Sequence, residues 1–330
     1  MNPSSTQDES APMRVAVVGA GARAGTQIDI LSTTGLGTPV GVWNRTASRG
    51  RAIADHLGIA QYDSVEALVR HTQPDLVSIA TGPQGRADLV DEAVRGGARA
   101  ILLEKPLAVH QSELERIREA AGDCFVVVNT QYPWIDHWRT VLASVSDGEL
   151  GEVRSIEVST GVDLLEQGPH LLSLAYALAD AAALPRPTWV LAGVSSRNDD
   201  GVPADTVAVA DLGPARLRLS AGAVAPPVPG EQVIFYQQQV TVTGTRGRVW
   251  VSLNQGLERW TESGVHREDT SWARDDRQSQ TDFFRDLGHA VRDPERRATF
   301  PTRLSEVLTR EAFLFACIRS ASSGARVSLD

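Results

Sequence analysis

The chain of 330 residues carries 31 arginines and a single lysine, Lys105. The two cations are not equivalent. A guanidinium stays charged, whereas an ammonium can lose its proton when desolvated, and so can give and take one. Lys105 stands in the run Ala100-Ile-Leu-Leu-Glu-Lys-Pro-Leu, where an apolar strand delivers Glu104 and Lys105 and Pro106 stops it. At the end of a buried strand, Lys105 reads as a proton donor or an orienting cation beside a reacting centre. His170 is a second candidate. Pro169 suits the first turn of a helix, which places His170 near that helix's N-terminus. There the dipole disfavours the imidazolium and leaves a ring able to accept a proton and return it.

A third constellation binds rather than reacts. The apolar strand 14–19 runs into Gly19-Ala-Gly-Ala-Arg-Ala-Gly25, and a helix continues. Gly19 allows the tight turn and Gly21 lets the backbone approach a pyrophosphate. Ala22 and Arg23 follow, and Ala24 takes the third glycine position, so the phosphate charge sits on the helix N-terminus. The second strand ends in Asn44-Arg45-Thr46. An acid here would hold the ribose of NAD; a guanidinium with hydroxyl neighbours suits a 2′-phosphate instead, so NADP(H) is expected in preference to NAD(H). Thr81-Gly82-Pro83 ends a third strand and joins Glu104 and Lys105 at the same edge.

These groups require strand ends gathered on one side. Apolar runs at 38–43, 75–80, 100–104 and 124–128 alternate with helical stretches at 47–57, 84–96 and 113–121. That alternation predicts a doubly wound parallel sheet over 13–130. Asn129 to Trp134 crosses into an α+β domain, 131–330, for substrate binding and oligomerisation. There the strands 189–194, 206–210, 215–220, 232–243 and 247–252 follow one another without helices, which predicts an open, mainly antiparallel sheet. One face should cover the helix after His170. The other is free for a second copy, as in a dimer or tetramer. Residues 262–280 read as irregular, and helices at 281–291 and 303–321 close the chain. Residues 1–12 are polar and read as a disordered tail.

Composition narrows the function. Net charge is −9 with no basic stripe, which argues against nucleic acid as partner. Two cysteines form no disulfide framework and fit a reducing, cytoplasmic compartment. No apolar stretch is long enough to span a bilayer and no secretion signal stands at the start. The other six histidines lack metal-ligand spacing, so no metal is expected. No G-x-S-x-G elbow supports a hydrolase.

The glycine turn together with Glu104-Lys105-Pro106 resembles the Gfo/Idh/MocA oxidoreductases, which include glucose–fructose oxidoreductase and inositol dehydrogenase. The turn at Gly244-Thr-Arg-Gly247 and the final helix ending at Ser-Ser-Gly324 fit the same pattern. The resemblance implies hydride transfer between a nicotinamide and a carbinol or carbonyl carbon of a sugar, a cyclitol or another polyhydroxylated molecule. It implies that Lys105 and His170 share the proton work, and that Glu166, four residues before His170, orients one of them. The family acid is usually aspartate. Gln131 stands where the family often has a basic residue, and Ser173 where many sugar-oxidising members have an acid. These departures leave two alternatives open: a non-catalytic NADP sensor, and a reductase of C=N or conjugated bonds on the same fold.

Overall fold

The computed structural model describes residues 11–197 and 203–329. Most of the tail expected over 1–12 lies outside these residues. The chain divides into two compact units. The first comprises the residues up to Asn129 with Gln280–Val307; the second comprises Thr130–Ser279 with Leu308–Asp330.

In the first unit β1 (Met13–Val18), α1 (Ala22–Thr34), β2 (Gly37–Trp43), α2 (Ala47–Leu57), α3 (Val65–Thr72), β3 (Leu76–Ile79), α4 (Arg86–Arg95), β4 (Ala100–Glu104), α5 (Gln111–Ala121) and β5 (Phe125–Asn129) follow in order. The five strands form one sheet, ordered β2-β1-β3-β4-β5, and every pairing is parallel. β3, β4 and β5 are buried along their whole length, as continuous apolar runs require when helices cover both faces. Their C-terminal ends share one edge, where Gly19, Asn44, Thr81 and Lys105 come just after β1, β2, β3 and β4.

A buried polar network lies beneath that edge. The Glu104 carboxylate accepts hydrogen bonds from Gln27 Nε2 of α1 at 2.5 Å and from Asn129 Nδ2 of β5 at 2.8 Å. Ser78 of β3 donates to the Gln27 carbonyl oxygen. Four elements are thereby tied together within the core.

The second unit begins with a 3-10 turn (Tyr132–Trp134) and continues through α6 (Asp136–Ser146), β6 (Val153–Thr160), α7 (Leu164–Ala181), β7 (Trp189–Arg197), β8 (Pro203–Leu212), β9 (Ala215–Ala221), β10 (Gln238–Gly244), β11 (Arg248–Ser252), β12 (Leu257–Thr261) and β13 (Gly264–Glu268). Then come α8 (Trp272–Arg292), α9 (Pro294–Thr299), α10 (Leu304–Ser323) and β14 (Val327–Ser328). The nine strands form one sheet, ordered β13-β12-β11-β10-β6-β9-β8-β7-β14. Its pairings are antiparallel except β6 with β9. The core of this unit joins α6, α7 and α10 to one face of the sheet through Trp138, Leu171, Leu174, Leu217, Val240 and Phe313.

Three details depart from the sequence reading. Residues 280–307, read as part of the second domain, pack with the first unit. Phe300 meets Phe125 and Phe283 edge-on at 6.0 and 6.1 Å, and Val128 N donates to Thr302 O at 2.9 Å. A short antiparallel bridge between Val127 and Arg303 thus covers the outer edge of β5. The stretch 262–280 is not irregular: it holds β13 and the first turns of α8. Residues 232–237 are not strand, because a 3-10 turn occupies Ile234–Tyr236 before β10. Among the described residues no helix is long and apolar enough to cross a membrane, and Cys124 and Cys317 are free.

Candidate active site

In the first unit a cavity of about 290 Å³ lies at the C-terminal edge of the parallel sheet. Of the residues expected to hold the cofactor, Gly19, Gly21, Asn44, Arg45, Thr46, Thr81 and Gly82 line it. Ala22, Arg23, Ala24, Pro83, Glu104, Lys105 and Gln131 are not in its wall. Gly19 adopts φ +117°, and a Cβ there would meet the Ala80 carbonyl oxygen at 2.8 Å, so only glycine fits. At Gly21 a Cβ would meet nothing within 4 Å. The open space is what a pyrophosphate needs.

Gly21 caps α1 without any side-chain hydrogen bond, and the first turn of α1 carries no acid. The leading N–H groups therefore remain available to an anion. At the same edge Asn129 Oδ1 is buried without a protein partner. These features fit a dinucleotide. The cavity wall also holds Arg49 and Gln84, which sequence reasoning missed. Arg49 lies one turn beyond Arg45 on α2, so the spacing itself was the available signal. Both guanidinium-bearing residues are exposed, with no acid in the first turn of α2.

Lys105 follows β4 and is half-buried. A second missed residue organises its turn. Arg86, fully buried at the start of α4, donates to the carbonyl oxygens of Pro106, of Leu107 at 3.0 Å and of Thr81 at 2.7 Å. One guanidinium thus ties the Thr81-Gly82-Pro83 turn to the turn after Lys105. An apolar side chain there would take the Arg86 hydrogen bond from three carbonyls. Glu104, expected to touch the cofactor, turns its carboxylate into the core network instead.

In the second unit the candidate residues are carried by α7. The helix starts at Leu164, earlier than Pro169 implied, because Asp163 caps it: Oδ1 accepts from Leu165 N at 3.0 Å and Glu166 N at 2.9 Å. The pair Asp163…Glu166, acid then Glu three residues on, was the signal in the sequence. Pro169 is therefore inside the helix, and His170 is beyond the first turn, where the dipole has faded. Glu166 is exposed, whereas Gln167, Pro169 and His170 are buried.

An aromatic ring lies against His170. The Tyr132 ring stacks on the imidazole with centroids 4.4 Å apart and 20° between planes. Three residues along α7, Ser173 accepts a hydrogen bond from Arg310 Nη1 at 3.2 Å. Gln131 donates to Asp276 at 3.4 Å, and His137 Nδ1 meets Asp275 at 3.1 Å. These contacts seat the polar first turns of α8. Burial pushes His137 down to about 4 despite the nearby Asp275. Burial also opposes the Asp275 charge, yet hydrogen bonds from Arg274 and His137 hold its carboxyl below the usual range.

His137 supplies a test. A folded-state value of about 4 against an ordinary 6.5 means the neutral ring is favoured by folding. Its contribution is complete above pH 6.5 and disappears as pH falls toward 4. Thermal denaturation from pH 7.5 to 4.5 should show a steep loss of stability over this window, and His137→Gln should flatten it. Parallel profiles for the two proteins would refute the assignment.

Comparison with known proteins places this geometry. Residues 13–132 match the family described as GFO_IDH_MocA, oxidoreductase family, NAD-binding Rossmann fold. A dTDP-3,4-didehydro-2,6-dideoxy-α-D-glucose 3-reductase of Streptomyces violaceoruber is 28% identical over 123 residues, which is 37% of this chain and 36% of that protein. The match thus spans about a third of the curated relative. Along nearly the whole chain the fold is that of a putative myo-inositol dehydrogenase from Sinorhizobium meliloti (TM-score 0.75, 18% identity, 96% of this chain and 99% of that one). It is also that of GenD2 from gentamicin A biosynthesis, solved with NAD (TM-score 0.78, 21% identity, 98% of each chain). The segment 13–132 thus matches the Gfo/Idh/MocA oxidoreductase family, and the solved structures share the fold along nearly the whole chain.

Proposed function

We propose that the protein is an NADP(H)-dependent oxidoreductase acting on a carbinol or carbonyl carbon of a sugar, a cyclitol or a related polyhydroxylated molecule. The observation that carries this reading is the cavity at the sheet edge, where Arg45 and Arg49 stand in the wall and no acid takes the ribose position after β2. Gly19, Gly21 and the N-terminus of α1 would hold the pyrophosphate; Arg45, Thr46 and Arg49 would hold the 2′-phosphate. When bound, the nicotinamide supplies or accepts the hydride.

The chain's own part is proton handling and orientation. Lys105 and His170 carry the proton to or from the substrate oxygen, and the turn fixed by Arg86 holds Lys105 in place. The polyhydroxylated substrate class rests on likeness: the Streptomyces relative is named as a dTDP-sugar reductase and the Sinorhizobium protein as a putative myo-inositol dehydrogenase. Fluorescence titration should show NADPH binding at least about tenfold tighter than NADH, with Arg45→Ala narrowing the gap. Equal affinities in the parent protein would reject the preference. With a panel of keto-sugars and cyclitols, Lys105→Ala should keep NADPH affinity and lose about a hundredfold or more in turnover. Undiminished turnover would remove Lys105 from the chemistry.

The same reading takes the protein as a homo-oligomer joined through the second-unit sheet. Its outer face carries Trp250 and Trp260 among charges of both signs: Glu157 pairs with Arg218 at 3.3 Å, and Arg248 lies over the Trp260 ring at 5.3 Å. A face with both signs and half-buried indoles can complement a second copy of itself under a two-fold axis. Sedimentation velocity should give a dimer or larger species, and Trp250→Arg should shift it toward the monomer. A monomeric parent would sink this part.

A further inference from the structure

We propose that Tyr132 is a positioning residue for His170, and that Gln238 holds Tyr132 in register. The proposal rests on the reading of His170 as a proton carrier. Its warrant is a set of contacts within the second unit alone.

The phenol ring lies nearly parallel to the imidazole, 4.4 Å between centroids. Stacking at that distance blocks rotation of the imidazole about its Cβ–Cγ bond, because a turned ring would drive its edge into the phenol. The plane of His170, and with it the directions of both ring nitrogens, is therefore set by Tyr132. The phenol is itself fixed at its far end. Its hydroxyl donates to Gln238 Oε1, and Gln238 Nε2 donates to the Phe235 carbonyl at 2.6 Å. Tyr132 is 1% exposed and Gln238 is fully buried. Trp138 packs with the phenol at 6.0 Å and 23°, and Trp272 meets it edge-on at 6.4 Å.

The role is positional rather than chemical. The hydroxyl proton is committed to Gln238, and burial pushes the phenol well above its ordinary value, so Tyr132 has no proton to trade near neutral pH. Position matters because misplacing a proton-transfer group by about 1 Å can cost on the order of a hundredfold in rate. Tyr132 sits in the 3-10 turn just after β5, next to Gln131. The residue that orients the imidazole thus comes from the crossing segment rather than from α7.

The test needs no identified substrate. Protein labelled with [ε1-13C]histidine and saturated with NADPH gives one signal per histidine, and His170→Asn assigns the signal of interest. In the parent, the His170 ring proton should be displaced upfield by the phenol ring current. In Tyr132→Leu that displacement should vanish and the His170 titration midpoint should move by about half a pH unit or more, while the His137 signal stays put. A folded Tyr132→Leu protein with the parent's shift and midpoint would overturn the proposal.

If Tyr132→Leu does not fold, Tyr132→Phe and Gln238→Leu decide. Each keeps the ring but cuts its tether, so each should reduce the displacement and broaden the signal. Unchanged His170 signals in both single variants would overturn the tether. The underlying reading fails separately: full turnover in His170→Asn, on the sugar and cyclitol panel, would reject His170 as proton carrier while leaving the stack intact.

Discussion

A buried carboxylate holds the first unit to its purpose. Glu104 accepts from Gln27 on α1 and from Asn129 on β5, while Ser78 on β3 locks Gln27 from behind. A carboxylate taken out of water needs several donors to offset its desolvation, and two primary amides supply them here. The result joins α1, the helix proposed to hold the pyrophosphate, to β4, the strand that leads into Lys105. The constraint is steric as well as polar. Glu104 and Lys105 are successive residues at a strand end, so a Glu104 side chain pinned inward fixes the backbone from which Lys105 departs.

Arg86 does the corresponding work one layer out. Its guanidinium has no exposed surface and is spent on the carbonyl oxygens of two turns. A planar fork of donors suits this task, since several carbonyls can be reached from one rigid group. The cofactor edge therefore contains arginines of two kinds. Arg45 and Arg49 are exposed and can meet a phosphate, whereas Arg86 is structural. In the second unit, polarity is handled differently. A phenol ring stacks on His170, and polar pairs of this unit join Tyr132 to Gln238, Ser173 to Arg310 and Gln131 to Asp276.

The parallel sheet and its glycine turn were legible because local chemistry dictates them. A left-handed turn excludes any side chain at Gly19, and strands buried on both faces must read as unbroken apolar runs. Asn44, Arg45 and Thr46 were legible from their place after β2, and they line the expected cavity. The start of α7 was misplaced because Pro169 was weighed over Asp163, although a capping side chain decides a helix start and a proline only tolerates one. The first turns of α8 were missed for another reason. Trp272 to Ser279 has no apolar period, and its helix is seated by remote partners: Asn254 accepts from Trp272 N at 3.1 Å, and His137 meets Asp275.

The sequence by itself determined the class of scaffold, the edge on which a dinucleotide would lie, and the singularity of Lys105. Those follow from periodicity, glycine stereochemistry and residue type, all of which act over a few neighbouring positions. Only the tertiary structure decided that Glu104 faces the core, that Arg86 clamps the turn beyond Lys105, that 280–307 returns to the first unit, and that Tyr132 lies on His170. Each of these joins residues from about 20 to more than 150 positions apart. No local pattern encodes such pairings, because they arise when packed elements compete for the same buried donors, acceptors and ring faces.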